Sequence, residues 1–481
     1  MLVPGAGGRG WYRHRVVAEL ARRGHPAIAV DLPADDGTAG LAACADAVAG
    51  ALPDGPAVLV AARTPVRGLV LVNAMVPRPG ETGGEWWTAA GRSTPTTSRT
   101  PSCTTCRSRR CRAPGRAGAP GRAGRPVARR LTRPGRLAVV RALVFEEFGG
   151  PLTVRSVPDP VPAPDGVVVR VGASGLCRSD WHAWAGHDPG VALPHVPGHE
   201  LAGTVAAVGS RVRGWTVGDR VTVPFVCACG RCAQCREGAG QVCLQQTQPG
   251  FTHWGSLAEL VALDAADVNL VALPPELSFG TAASLGCRFA TAFRAVTGVA
   301  RVRPGEWVAV HGCGGVGLSA VQVAVAAGAR VIAVDVSPAA LELARALGAE
   351  HVVDGAADVP AAVAGLTGGG ASVSLDALGA AVTCVNSIRS LRPRGRHVQV
   401  GLLPPAAGRP EIPMELVVAG ELAVLGSHGM AAADYPAMLS LIAAGRLRPD
   451  LLVTRELALD AAGPALAAVG REPGIAVVTR F

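Results

Sequence analysis

The sequence predicts an α/β protein built around a doubly wound parallel sheet, and three observations lead there. First, residues 306–311 (EWVAVH) make an apolar run of strand length. They run directly into Gly312-Cys313-Gly314-Gly315-Val316-Gly317 and then into GLSAVQVAVAAG, a helical stretch that closes at Gly328. Second, the next strand, RVIAVD, ends on Asp335, and Ser337-Pro338 caps a helix through LELARALG with proline at its first position. Third, HVVD, ASVSLDAL and RHVQVG follow as shorter strands. Strands alternating with helices in this way are βαβ units, which lay their strands parallel.

The glycine turn carries chemistry as well as topology. Glycines let the backbone approach a pyrophosphate, and the helix behind them offers N–H groups that no earlier turn of helix has used. Asp335 lies 18 residues beyond Gly317, where a carboxylate can accept both ribose hydroxyls of an adenosine. Its charge would repel a 2′-phosphate, so NAD is expected rather than NADP. Gly312, Gly314, Gly315, Val316, Gly317 and Asp335 are therefore the candidate cofactor contacts.

Upstream, Cys229, Cys232, Cys235 and Cys243 stand in a loop rich in glycine (VPFVCACGRCAQCREGAGQVC). Four thiolates this close can converge on one tetrahedral ion, and an all-thiolate set leaves no position open, which is the pattern of structural zinc. A disulfide framework is the weaker reading, because the chain is long enough to bury cores without staples and no signal peptide is expected. Around this lobe stand Cys177 in GLCRSDWH, His199 in GHE and Cys287 in LGCRFATAF. Two thiolates and one imidazole from three distant loops are what a catalytic zinc with a free fourth position needs.

In these motifs and their order, residues 140–481 resemble the zinc-dependent alcohol dehydrogenases of the medium-chain dehydrogenase/reductase family. The resemblance implies a GroES-like, β-rich catalytic domain over 140–288, a Rossmann domain over 289–418, and a return to the catalytic domain over 419–481. It implies that Cys177, His199 and Cys287 hold catalytic zinc. It further implies that Ser179 contacts the substrate oxygen and passes its proton towards His182. Asp180 would orient His199, Glu200 would sit behind the metal, Thr291 would lie near the nicotinamide, and Arg178 would meet the pyrophosphate. The physics agrees: an alcohol is too weak an acid to ionise at neutral pH, and zinc lowers the pKa of an oxygen it binds. A hydroxyl and an imidazole beside it give the proton a way out. The expected reaction is reversible oxidation of an alcohol to an aldehyde or ketone, with a polyol or formaldehyde-type preference as the alternative. Trp181, Trp184 and Phe289 stand near these residues, either to narrow a pocket or as ordinary packing. The expected partners are a small-molecule substrate and further copies of the chain, as a homodimer or homotetramer, in the cytoplasm.

Composition bounds what remains. At 481 residues the chain exceeds one domain, and 49% hydrophobic content is enough for packed cores. No apolar run reaches the length of a membrane span. The net charge of +10 is uneven: residues 1–140 hold 21 Arg against 8 acids, while residues 141–481 hold 25 Arg against 28 acids. The dehydrogenase-like portion is thus mildly acidic, which argues against a nucleic-acid partner. All 46 basic residues are arginine, a bias that reads as GC-rich coding.

The first third reads differently. Residues 1–90 resemble a truncated α/β-hydrolase of the small esterase type, yet residues 1–92 contain no serine, so the usual nucleophile elbow and triad are missing. A residual N-terminal esterase is the bifunctional alternative, with Cys44 as a substitute nucleophile on paper only. Residues 91–139 are rich in Arg, Pro and Gly with almost no aliphatic residues, and are expected to be a disordered linker. Cys103, Cys106 and Cys111 within it lack a fourth ligand. A shifted reading frame joining two genes would explain the segment, with Val140 as a former start.

Overall fold

The computed structural model describes residues 2–3, 60–61, 139–403 and 408–481. It divides into two compact units, Met1–Arg125 and Pro126–Phe481. In the first, β1 (Leu2–Val3) and β2 (Val60–Ala61) pair in parallel. The rest of the hydrolase-like stretch and the linker as far as residue 138, including Cys44, Cys103, Cys106 and Cys111, lies outside the described residues, while Val139, the last residue of the expected linker, already opens β3.

The second unit opens with an antiparallel pair, β3 (Val139–Val144) and β4 (Thr153–Pro158). The strands β5 (Val167–Leu176), β6 (Glu200–Val208), β7 (Arg220–Thr222), β8 (Leu260–Leu263) and β9 (Val271–Ala272) then build most of a mixed sheet. Val167, Val169, Val171, Leu201, Val205, Val221 and Val261 close one of its cores. Each such side chain contributes about 1.5–3 kcal/mol when fully removed from water. β-Branched valine suits these pleated, packed positions.

Next come the five strands that the βαβ pattern predicted, β10 (Trp307–His311), β11 (Arg330–Asp335), β12 (His351–Asp354), β13 (Ala371–Asp376) and β14 (Leu391–Gln399), and a sixth that it did not, β15 (Ala423–Gly426). They lie in the order β12-β11-β10-β13-β14-β15, all parallel, the doubly wound arrangement. Val308, Ala309, Val310, Val331, Ile332 and Ala333 are fully buried because helices cover both faces. The helix Gly315–Ala326 is buried nearly all round from Gly317 to Ala324, which explains its small and β-branched residues.

One expected boundary moves. The return to the catalytic domain at 419 comes too early, because β15 is the sixth strand of the parallel sheet and hydrogen-bonds to β14. Met430, Tyr435 and Met438 also join the core that contains Val308 and Val310. β15 is a four-residue edge strand with alternate residues exposed, so it carries little of the apolar signal by which the inner strands are read.

The last strands, β16 (Val453–Ala458) and β17 (Ile475–Arg480), complete the mixed sheet, in the order β16-β17-β5-β6-β7-β9 with β8 also on β5. β17 lies antiparallel on the end of β5, with Ala476 opposite Leu176. The C-terminal strand thereby fixes the point at which the chain enters Cys177. Among the described residues, no helix is long and apolar enough to cross a membrane.

Candidate active site

Cys177, His199 and Cys287 come together from three segments. Ligand atoms of these residues and of Glu200 all lie within 4.8 Å of one another. Cys177 follows β5 and stands at the N-cap of the helix Arg178–Trp184. The fully buried Asp180 in its first turn organises the surroundings. Its Oδ2 accepts the Cys177 N–H at 3.0 Å, and its Oδ1 accepts the Gly198 N–H at 3.0 Å and the His199 Nδ1–H at 2.7 Å. A carboxylate only accepts, so Nδ1 of His199 carries a proton, which in the neutral ring leaves Nε2 as the nitrogen with the lone pair. That Nε2 is buried with no hydrogen-bond partner. Phe225 and Phe251 flank the ring at 6.2 and 5.1 Å between centroids, an apolar wall that keeps water from satisfying it. Gly198 is needed here: its φ is +109°, and a Cβ would come within 2.6 Å of the Leu257 nitrogen.

Cys287 sits in a π-helical turn, Leu285–Phe289, whose Leu285 carbonyl accepts the hydroxyl of buried Tyr435 at 3.1 Å. Such turns break the regular helix period and re-aim a side chain. Glu200, the first residue of β6, is fully buried and bonded along its carboxylate edge by Arg288: Nε to Oε1 at 2.9 Å, with Nη2 on Oε2 and the Arg288 N–H on Oε1 at 3.1 Å. Burial pushes the Glu200 carboxyl up while Arg288 pulls it down. The two cysteines titrate as a pair. The neighbouring Cys287, with Arg288 and His199, holds Cys177 well below the ordinary thiol range, and Cys177 in turn drives Cys287 up.

Ser179 and His182 follow on the same helix, both half-buried. His182 Nδ1 lies 2.9 Å from Nδ1 of His187, a residue that sequence reading did not single out, and both rings pack edge-on to Trp181. Burial, then the charges of Arg178 and His187, lower the pKa of His182, so its neutral form is favoured. Arg178 spreads its guanidinium over Trp181, 4.6 Å from the ring centre, and reaches the Val469 carbonyl at 3.4 Å. Thr291 is buried in the short helix Ala290–Arg294, which continues from the Cys287 turn. Phe289 lies wholly in the core, and the Trp184 Nε1–H donates to the Gly150 carbonyl at 2.8 Å, so both are packing residues.

The glycine turn joins β10 to the helix Gly315–Ala326. Gly312 has φ +89°, and a Cβ on Gly317 would collide with the Gly312 carbonyl, so both positions require glycine. The helix has no side-chain cap at Gly314, and the space where a Gly314 Cβ would stand is open. Asp335 ends β11 and accepts the Cys313 N–H at 2.6 Å on one oxygen and the Ser337 N–H at 2.8 Å on the other. Each oxygen keeps a further lone pair.

In the four-cysteine lobe the sulfurs are likewise within 4.8 Å of each other. Cys232 stands 3.4 Å from Cys235 and 3.7 Å from Cys243, and Cys229 stands 4.0 Å from Cys235. These separations exclude disulfides. Backbone N–H groups of Cys229, Arg231, Cys232 and Gln245 point at Cys229 or Cys243 sulfur at 3.3–3.5 Å. A backbone N–H donor brings Cys232 down to about 6, whereas burial pushes Cys235 up to about 12. Asn269, also unforeseen, anchors the lobe from below: its Oδ1 accepts the Ala228 N–H at 2.7 Å and its Nδ2 donates to the Ala228 carbonyl at 3.0 Å.

Comparison with known proteins decides the family. Residues 163–275 match the alcohol dehydrogenase GroES-like domain, and residues 315–444 match the zinc-binding dehydrogenase domain. An alcohol dehydrogenase of Geobacillus stearothermophilus is 36% identical over 313 residues, 64% of this chain and 90% of that protein. The chain belongs to the zinc-dependent alcohol dehydrogenases of the medium-chain dehydrogenase/reductase family. Two solved structures share its fold. The alcohol dehydrogenase TADH of Thermus sp. ATN1 has a TM-score of 0.66 and 33% identity, covering 71% of this chain and 100% of that one. A zinc-binding dehydrogenase of Sinorhizobium meliloti, bound to NADP, has a TM-score of 0.65 and 31% identity, covering 71% and 99%.

This dehydrogenase fits the metal its family uses. A tetrahedron with Zn–S bonds of about 2.3 Å has edges of about 3.8 Å, and the lobe's sulfur separations of 3.4–4.0 Å straddle that length. At the other cluster, His199 Nε2 is buried without a hydrogen-bond partner and the Cys177 thiol is held low beside Cys287, a nitrogen and sulfur set that suits zinc. The enzyme acts on alcohols, is zinc-dependent and uses a nicotinamide dinucleotide.

Proposed function

We propose that this dehydrogenase oxidises an alcohol reversibly to an aldehyde or ketone, passing hydride to NAD in preference to NADP. In this reading Cys177, His199 and Cys287 hold catalytic zinc, and Cys229, Cys232, Cys235 and Cys243 hold a structural one. The Asp180–His199 pair carries the assignment, because it fixes the ring tautomer that leaves a buried nitrogen lone pair aimed among thiols. Catalytic zinc supplies the Lewis acidity that lets an alcohol oxygen give up its proton.

The chain's own residues do the rest. Ser179 accepts the substrate proton at its hydroxyl, and neutral His182, lowered by burial, takes it towards solvent, with His187 at hydrogen-bond distance. Glu200, fixed by Arg288, stands behind the ligand atoms. Thr291 lies near the nicotinamide, Arg178 at the diphosphate, and Gly312, Gly314, Gly315, Val316 and Gly317 present the backbone to it. Asp335 is held at both oxygens by backbone N–H groups, so its charge is fixed where a 2′-phosphate would come. Assembly as a homodimer or homotetramer through the nucleotide portion is part of this reading. β15 is the outer strand of the parallel sheet, with Val424 exposed on it and Val418 exposed on the helix before it.

A panel of primary, secondary and polyhydric alcohols and formaldehyde adducts, run with NAD and NADP at equal concentration, tests the proposal. NAD-linked turnover that disappears on chelation and returns with zinc is expected. A preference for NADP would remove Asp335 from its role, and no turnover of any alcohol would remove the reading as a whole.

A further inference from the structure

Arg288 joins the ligand cluster to the glycine turn. It follows Cys287 in the π-helical turn, and its side chain is only 7% exposed. One edge of the guanidinium, Nε and Nη2, is spent on Glu200. Its stem lies against Gly315, the first residue of the twelve-residue helix that the turn opens. A Cβ on Gly315 would collide with Arg288 Cδ and stand 3.3 Å from both Nε and Nη1. Glycine is thus required at 315 to admit the arginine. Among the described residues Nη1 has no hydrogen-bond partner.

Three things then meet at one place: an uncapped helix N-terminus, open space in front of Gly314, and the unfilled edge of a buried cation. Helix N–H groups and a guanidinium fork both select an oxyanion, and the fork favours the paired oxygens of a phosphate. Arg178, read above as a diphosphate contact, is an exposed side chain lying over Trp181, whereas Arg288 reaches the same turn from the buried side.

We propose that Arg288 is a cofactor-binding residue, which grips the dinucleotide's diphosphate with its Nη1 edge while its other edge holds Glu200. The inference rests on the reading of the glycine turn as the dinucleotide site. One buried side chain would then link cofactor binding to the carboxylate behind the ligand cluster. Glu200 acts as its positioning residue, because two hydrogen bonds along the carboxylate fix the plane of the fork and so the direction of Nη1.

Competition against NADH fluorescence on the zinc-loaded full chain tests it, with ADP-ribose as the diphosphate probe and adenosine as the probe without phosphate. Arg288→Met should weaken ADP-ribose about tenfold or more, the scale of a lost charge-assisted hydrogen bond. Adenosine binding should stay within about twofold, with both zinc ions retained, because Arg288 has no role at the adenosine end of the site. Equal losses for the two probes would make Arg288 structural and overturn the proposal, as would unchanged ADP-ribose binding. Should Arg288→Met fail to fold, Arg288→Lys and Glu200→Gln carry the test. Each should weaken ADP-ribose selectively, since lysine lacks the fork and glutamine loosens its plane; unaltered ratios in both would sink the proposal. A wild-type protein that binds neither probe would instead bring down the dinucleotide reading itself, and this inference with it.

Discussion

The two sulfur-rich clusters use nearly the same donor atoms for opposite ends. In the lobe, the four proposed ligands fall between Cys229 and Cys243, most of them half-exposed, and their N–H···S contacts come from the same loop. In the other cluster the proposed ligands span Cys177 to Cys287. Their orientation depends on Asp180, Glu200 and Arg288, all buried. A closed thiolate set needs only a loop that can turn back on itself, so its product is stability. An open set must also hold each donor in direction and keep water out, so it needs a folded interior around it.

The largest expected effect separates the two. Cys177→Ala should take zinc from two per chain to one and abolish turnover with the unfolding midpoint almost unmoved. Losing several kcal/mol of charge stabilisation means at least about a thousandfold in rate. Cys232→Ala should also leave one zinc but lower the midpoint by several degrees, because metal bound by a closed site is folding free energy. Elemental analysis and thermal melts decide it. If both variants lost both ions, the clusters would not be independent.

Asp180→Asn sharpens the contrast from the open side. An amide can no longer accept at both oxygens, so His199, Gly198 and Cys177 cannot all keep their bonds. Chelator competition should show catalytic zinc held about 10–100-fold more weakly, while the lobe's ion is released as in the wild type. Equal loosening of the two ions would break the comparison.

Asp335→Ala should relax discrimination against NADP by roughly 1–3 kcal/mol, the scale of charge-assisted hydrogen bonds lost. The ratio of kcat/KM with the two cofactors measures it, and zinc content should not move at either cluster.

The last test compares two histidines. Like His199, His311 is buried with an unpartnered Nε2, but it belongs to neither ligand cluster. Burial, with His397 adding to it, pushes His311 down to about 3. The folded state thus disfavours the proton, and the contribution to stability is complete above the unfolded pKa near 6.5. It is lost as pH falls below that, by about 1.4 kcal/mol per pH unit, because only the unfolded chain takes up the proton. His311→Leu should flatten the decline between about pH 6.5 and pH 4.5 in denaturant titrations. An unchanged slope would mean that His311 is solvated in the folded protein.

What could be read from the chain without its fold is what is local. The spacing of Cys229 to Cys243 and the run from Gly312 to Gly317 with Asp335 behind it follow from distances along a few turns of backbone, which the sequence sets directly. The inner strands β10 and β11 are nearly continuous apolar runs because both their faces are covered, and they too stand out. β15 does not, since an edge strand needs only its alternate residues.

The tertiary structure alone decided the pairing of Glu200 with Arg288, the approach of Arg288 to Gly315, the meeting of His182 with His187, and the anchoring of Ala228 by Asn269. The Glu200–Arg288 pair spans 88 residues, and a sequence position carries no direction for its side chain. Arg288 was visible as a letter beside a ligand cysteine. Only a π-helical turn under the hydroxyl of Tyr435, packed against β6, turns it inward. A buried charge needs its partner delivered by the fold, because nothing local can offset the loss of water.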